Sequence, residues 1–177
     1  NADIAMYRVK ERGGNGYEFY AADMTSRAHE RLVLENALRH ALEREEFELY
    51  YQPVVDLDSG HIQGVEALIR WHHPERGLVP PGEFIPVAEE TGLVVPIGEW
   101  VLRTACRQFH EYSLAGGTPL RLAVNVSPRQ FGRGEILNVV TRVLDETGFD
   151  PRLLDLEITE TLLMQHAEAV LEVMHEL

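Results

Sequence analysis

Three polar side chains interrupt runs that otherwise read as apolar strands. Glu66 stands in Val-Glu-Ala-Leu-Ile, Asn125 in Leu-Ala-Val-Asn-Val and Glu157 in Leu-Asp-Leu-Glu-Ile. A carboxylate taken out of water without a partner is costly, so each position needs a cation, a hydrogen-bond network or solvent at a strand mouth. Two carboxylates and an amide oxygen are hard ligands, suited to Mg²⁺, Mn²⁺ or Ca²⁺ rather than to the thiolate and imidazole sets that favour structural zinc. Strand side chains alternate in direction, so Glu66, Leu68 and Arg70 share a face, as do Asn125 and Ser127, and Glu157 and Thr159. Arg70 on that wall could grip a phosphate in a bidentate way. Each residue also has a plainer reading. A lone strand Glu is commonly a half-exposed polar position, and a lone Asn a turn-end or network residue. A shared site gains weight because the three fall on successive strand-like runs near their C-terminal ends, where βα barrels keep their chemistry.

Other features carry less. His72 and His73 are adjacent at a strand-to-loop turn and point different ways. Gly13, Gly14 and Gly16 lie between a helix and a strand in the wrong order for a phosphate loop, and read as a turn. The pair Tyr50-Tyr51 reads as strand packing rather than a base-stacking platform. Cys106, the only cysteine, reads as a small buried hydrophobe on a helix face. A disulfide within one chain is thereby excluded, which favours a reducing, cytoplasmic setting. The formal charge of −13, with Lys10 the single lysine, argues against nonspecific binding to a DNA or RNA duplex. No apolar run is long enough to span a membrane, and the opening residues do not form a secretory signal.

The elements that must position these residues follow from periodicity. A short helix, a glycine turn and a strand are expected over residues 1–25, then a helix from about Ser26 to Glu45 with Leu34, Leu38, Ala41 and Leu42 on one stripe. Phe47–Val55 and Ile62–Trp71 read as strands joined by the turn Asp58-Ser59-Gly60, which makes a hairpin. A loop over 72–77 leads to a short helix at Glu83–Thr91 and a longer one marked by Ile97, Trp100, Val101, Ala105 and Phe109. Then come a strand at Arg121–Val126, a helix marked by Ile136, Val139, Val140, Val143 and Leu144, a strand at Leu153–Thr159, and a final helix from Ala167. Strands alternating with helices argue for a parallel α/β arrangement, either a barrel or an open sheet. The lack of an initiator Met and the stop at Leu177 inside a helical pattern read as cuts from a longer chain.

The motifs together resemble a known family. Tyr51-Gln52-Pro53, Glu66-Ala67-Leu68-Ile69-Arg70-Trp71, His73-Pro74, Phe84-Ile85-Pro86-Val87-Ala88-Glu89, Asn125-Val126-Ser127 and Glu157-Ile158-Thr159-Glu160 are similar, in order and spacing, to the EAL domain of bacterial cyclic di-GMP phosphodiesterases. The tripeptide alone would mean nothing; the ordered set is specific. Residues 2–7, Lys10 and Gly14-Asn15-Gly16-Tyr17 resemble the end of a GGDEF, or diguanylate cyclase-like, domain. The division implied is a GGDEF remnant over 1–25, a connecting helix over 26–46, and the N-terminal part of an EAL domain over 47–177, roughly three-fifths of one.

The resemblance implies a TIM-barrel-like (βα)8 fold with one antiparallel strand, truncated in this chain, and metal-dependent hydrolysis of cyclic di-GMP to pGpG. It implies Glu66, Asn125 and Glu157 as metal ligands, Gln52, Leu68 and Arg70 as substrate contacts, and Glu160 as a supporting catalytic glutamate. The ion would be Mg²⁺ or Mn²⁺, with Ca²⁺ a candidate inhibitor. Cyclic di-GMP is the implied ligand and an upstream GGDEF domain the implied neighbour; a homodimer is left open. The family's DDFGTG motif, a lysine and further ligands should follow Leu177, so this segment alone is expected to be inactive. The alternative is an EAL-like receptor that binds cyclic di-GMP without turnover. An unrelated Mg²⁺-dependent, enolase-like barrel is a weak rival, since it would not explain the Glu-Ala-Leu-Ile-Arg-Trp and Phe-Ile-Pro-Val-Ala-Glu pair.

Overall fold

Phe47, Leu49 and Tyr51 alternate with Glu48, Tyr50 and Gln52, and the first set turns inward while the second faces solvent. That alternation makes strand β1, Phe47–Val55, which pairs antiparallel with β2, Ile62–His73. The computed structural model describes residues 22–158, with side chains described from residue 31 on except for 132–135. The expected elements at 1–21, the helix from Ala167, Thr159 and Glu160 lie outside the described residues. Between β1 and β2 the Asp56 carboxylate accepts hydrogen bonds from the Ser59 amide (2.8 Å) and hydroxyl (2.6 Å). Those bonds hold the carboxyl below its ordinary pKa. Gly60 takes the left-handed conformation, φ 71°, that closes the turn.

The first helix, α1, covers Ala22–Ala41 and stops earlier than its charge and apolar pattern suggests. Glu45 adopts φ 55° and the chain turns sharply over 42–45 to enter β1. Leu34, Leu38 and Ala41 are buried in the common core, so this stripe packs on the domain. A three-residue strand missed by periodicity, β3 at Gly77–Val79, pairs antiparallel with the end of β2. The chain continues through α2 (Pro81–Thr91), α3 (Val94–Leu114), β4 (Arg121–Asn125), a 3-10 segment at Pro128–Gly134, α4 (Glu135–Thr147), a second at Pro151–Leu153, and β5 (Leu154–Glu157).

The sheet order is β1-β2-β4-β5, with β3 also on β2. The β2–β4 and β4–β5 pairs are parallel, joined through α2 with α3 and through α4, as in repeated βα units. The β1–β2 pair is the antiparallel exception. One sheet face is covered. Leu49, Val65, Ala67, Leu122 and Val124 lie beneath Leu102, Ala105 and Cys106 of α3 in a single core. Phe47, Trp71 and Phe84 meet at its end with ring centroids 5.5–6.0 Å apart, and the Trp71 indole donates to Glu46 Oε2 at 2.9 Å. The opposite face carries the polar residues.

Candidate functional site

Register decides which side chains meet. Gln52 stands directly across from Glu66, Tyr50 from Leu68 and Glu48 from Arg70 on the antiparallel side. On the parallel side Glu66 is level with Ala123, and Asn125 with Glu157. Gln52, Glu66, Leu68, Arg70, Asn125 and Glu157 therefore share the face that no described element covers. The Asn125 amide donates from Nδ2 to Glu66 Oε1 at 2.7 Å, across 59 residues of sequence. Glu157 sits one strand over, exposed beside Asn125. Glu160 falls outside the described residues.

One expectation is corrected. Asn125 and Glu157 end their strands, but Glu66 lies mid-strand, because β2 runs on to His73 as the partner of β3. Glu66 still reaches the mouth, since its parallel pairing with β4 stops at Ala67. Gly64 makes that pairing possible. A Cβ at Gly64 would lie 2.8 Å from the Arg121 carbonyl oxygen.

The loop after Asn125 is tied from two sides. The Val126 amide donates to the Glu157 carbonyl at 2.8 Å, the Ser127 hydroxyl to Glu89 Oε1 at 2.8 Å, and the Ser127 amide to Gln130 Oε1 at 2.9 Å. Gln130 lies so close to Gly98 that a Cβ there would meet its amide nitrogen at 2.3 Å. Sequence reasoning assigned no role to Glu89 or Gln130. Glu89 was visible within the Phe-Ile-Pro-Val-Ala-Glu motif, whereas Gln130 carried no signal. Lower on the same face Arg121 and Asp155 form an ion pair, with Nε donating at 2.7 Å, and Asp155 raises the pKa of the guanidinium.

Tyr50 and Tyr51 divide between the two faces. Tyr51 packs edge-on against Phe109, 4.9 Å between centroids, and burial lifts its phenol to about 12. Tyr50 lies on the open face under the Arg70 guanidinium, 5.2 Å from ring centre to Cζ, where strand packing alone was expected. His72 and His73 do point apart. His72 meets Glu48 at 2.8 Å, while buried His73 accepts from the Glu75 and Arg76 amides through Nδ1. Cys106 is fully buried, and its thiol is lifted to about 12.

The donor chemistry fits a hard divalent cation. Asn125 uses its amide nitrogen on Glu66, and its carbonyl oxygen and the second Glu66 oxygen are hard ligand atoms. Among the described residues no three or more His, Cys, Asp or Glu side chains are grouped so as to hold a metal.

A family model, the EAL domain, matches residues 35–177. The chain belongs to the EAL domain family. It is 45% identical over 177 residues to MucR of Pseudomonas aeruginosa, a bifunctional diguanylate cyclase/cyclic di-GMP phosphodiesterase, covering 100% of this chain and 26% of that protein. It is 40% identical over 176 residues to the cyclic di-GMP phosphodiesterase PdeR of Escherichia coli, covering 99% of this chain and 26% of that protein. The chain thus spans about a quarter of the length of these curated relatives. Its structure matches that of the PaMucR phosphodiesterase in complex with c-di-GMP, with a TM-score of 0.78 at 44% identity, over 81% of this chain and 58% of that one. The mixed sheet with its antiparallel β1 is the TIM-barrel-like EAL fold over the part spanned here.

Proposed function

We propose that this EAL segment belongs to a metal-dependent phosphodiesterase domain that hydrolyses cyclic di-GMP to pGpG in bacterial second-messenger signalling. The observation that carries the reading is the shared face, on which Gln52 stands across from Glu66, Asn125 stands across from Glu157, and the Asn125 amide donates to Glu66. Glu66, Asn125 and Glu157 would hold Mg²⁺ or Mn²⁺, which when bound supplies Lewis-acid polarisation and a water of lowered pKa. Arg70 would bind a phosphate, with Gln52 and Leu68 orienting the nucleotide and Glu160 supporting the site. In the reaction a water oxygen joins phosphorus, and the 3′ oxygen leaves with a proton. The names of MucR and PdeR support this substrate.

We also place the domain in the cytoplasm, following an upstream GGDEF-type domain. Among the described residues no helix is long and apolar enough to cross a membrane.

The test uses the full-length protein that carries this sequence, incubated with cyclic di-GMP and Mg²⁺ or Mn²⁺. Appearance of pGpG, lost on chelation, is the expected result. Tight binding without pGpG would replace the hydrolase with a receptor. Neither binding nor turnover would reject both.

A further inference from the structure

Arg70 is a cation on the same wall as the candidate ligands, and its surroundings are unusual. The register sets Glu48 directly opposite, where an oppositely charged cross-strand pair would ordinarily form. No ion pair of Arg70 occurs among the described residues. Its guanidinium lies over Tyr50 instead, 5.2 Å from the ring centre, and Nη1 donates to the Ile69 carbonyl at 2.9 Å. Glu48 is engaged elsewhere: its Oε2 is 2.8 Å from His72 Nε2, the diagonal neighbour on the same face. We propose that Tyr50 and the Glu48–His72 pair are positioning residues for Arg70, the ring seating the guanidinium and the histidine diverting the carboxylate that would neutralise it.

The inference rests on the reading of Arg70 as a phosphate contact. An arginine committed to a neighbouring carboxylate must break that pair before it can bind a phosphate. One stacked on an aromatic face keeps its outward N–H groups and stays fixed in direction. A neutral His72 can donate to Glu48 as well as a charged one, so the diversion needs only the tautomer with hydrogen on Nε2. All three residues of the set are substantially exposed, so substitution should leave the core intact.

The experiment measures KM and kcat for cyclic di-GMP in the full-length protein, or Kd by calorimetry if it binds without turnover. His72→Ala should release Glu48 and raise KM about two- to fivefold, with the change in KM rather than kcat. Adding Glu48→Gln should return KM toward its starting value. Tyr50→Ala should raise KM by a similar factor, and Tyr50→Phe, which keeps the ring, should not. In an Arg70→Ala background, His72→Ala and Tyr50→Ala should add nothing. If their effects persist there, or Glu48→Gln does not rescue, the positioning role is overturned while that of Arg70 stands. If Arg70→Ala itself leaves KM and Kd unchanged, the phosphate reading falls and takes this inference with it.

Discussion

At the scale of single residues, Glu66 and Arg70 separate two kinds of contribution. Glu66 is bonded to Asn125 and would face a cation, so its loss should remove a ligand needed for the chemical step. Glu66→Ala should abolish pGpG formation by the full-length protein while its circular dichroism spectrum stays the same. Activity within a few-fold of the starting level would show that Glu66 is not a ligand. Arg70 would contribute a charge-assisted contact worth about 1.5–3 kcal/mol, so Arg70→Ala should weaken cyclic di-GMP binding about tenfold or more. Calorimetry checks this directly, and unchanged affinity would make Arg70 a packing residue. Alternation in the sequence was enough to put both on one face. It could not reveal that Asn125 donates to Glu66, because that bond depends on how two distant strands register.

At the scale of elements, the site is a product of strand register more than of loop shape. β2 serves two partners on one edge, pairing parallel with β4 over Gly64–Ala67 and antiparallel with β3 from Trp71. Gly64 is where the parallel ladder closes in. A methyl group there must push against the Arg121 backbone oxygen. Gly64→Ala should therefore destabilise the domain by about 1–3 kcal/mol and shift Glu66 relative to Asn125. A lowered urea midpoint with a larger loss of turnover is the expected pair of results. An unchanged midpoint would mean that the two strands can separate without strain. The short β3 was not legible beforehand, since three residues cannot display a period and Gly77 reads as punctuation.

At the scale of the whole molecule, one apolar layer carries the covered face of the sheet, and Cys106 and Tyr51 lie in and against it. Burial lifts the Cys106 thiol from 9.0 to about 12 and the Tyr51 phenol from 10.0 to about 12. In the unfolded chain these groups ionise at their ordinary values, while in the folded chain they resist ionisation until near 12. The stability they contribute is thus complete below 9.0 and is lost progressively as pH rises from there toward about 12. The urea midpoint should fall between about pH 8 and about pH 10.5, and Cys106→Ala should flatten that fall while lowering stability at neutral pH. A midpoint independent of alkali would show that Cys106 and Tyr51 open to solvent before they titrate.

The sequence by itself determined the alternation that splits each strand into a buried and a polar face. It also determined the ordered motifs of the EAL family, and a composition with one cysteine and a strong acidic excess. Those are local or cumulative properties, written in residue type and short spacing. Tertiary structure alone decided that Glu66 is mid-strand yet hydrogen-bonded to Asn125 at the end of β4, that Glu89 and Gln130 brace the loop after Asn125, and that Tyr50 and His72 flank Arg70 and Glu48. Each of these depends on where one segment lies along another. Alternation with a period of two says which face a side chain takes, and is silent on how far one strand is slid past its neighbour.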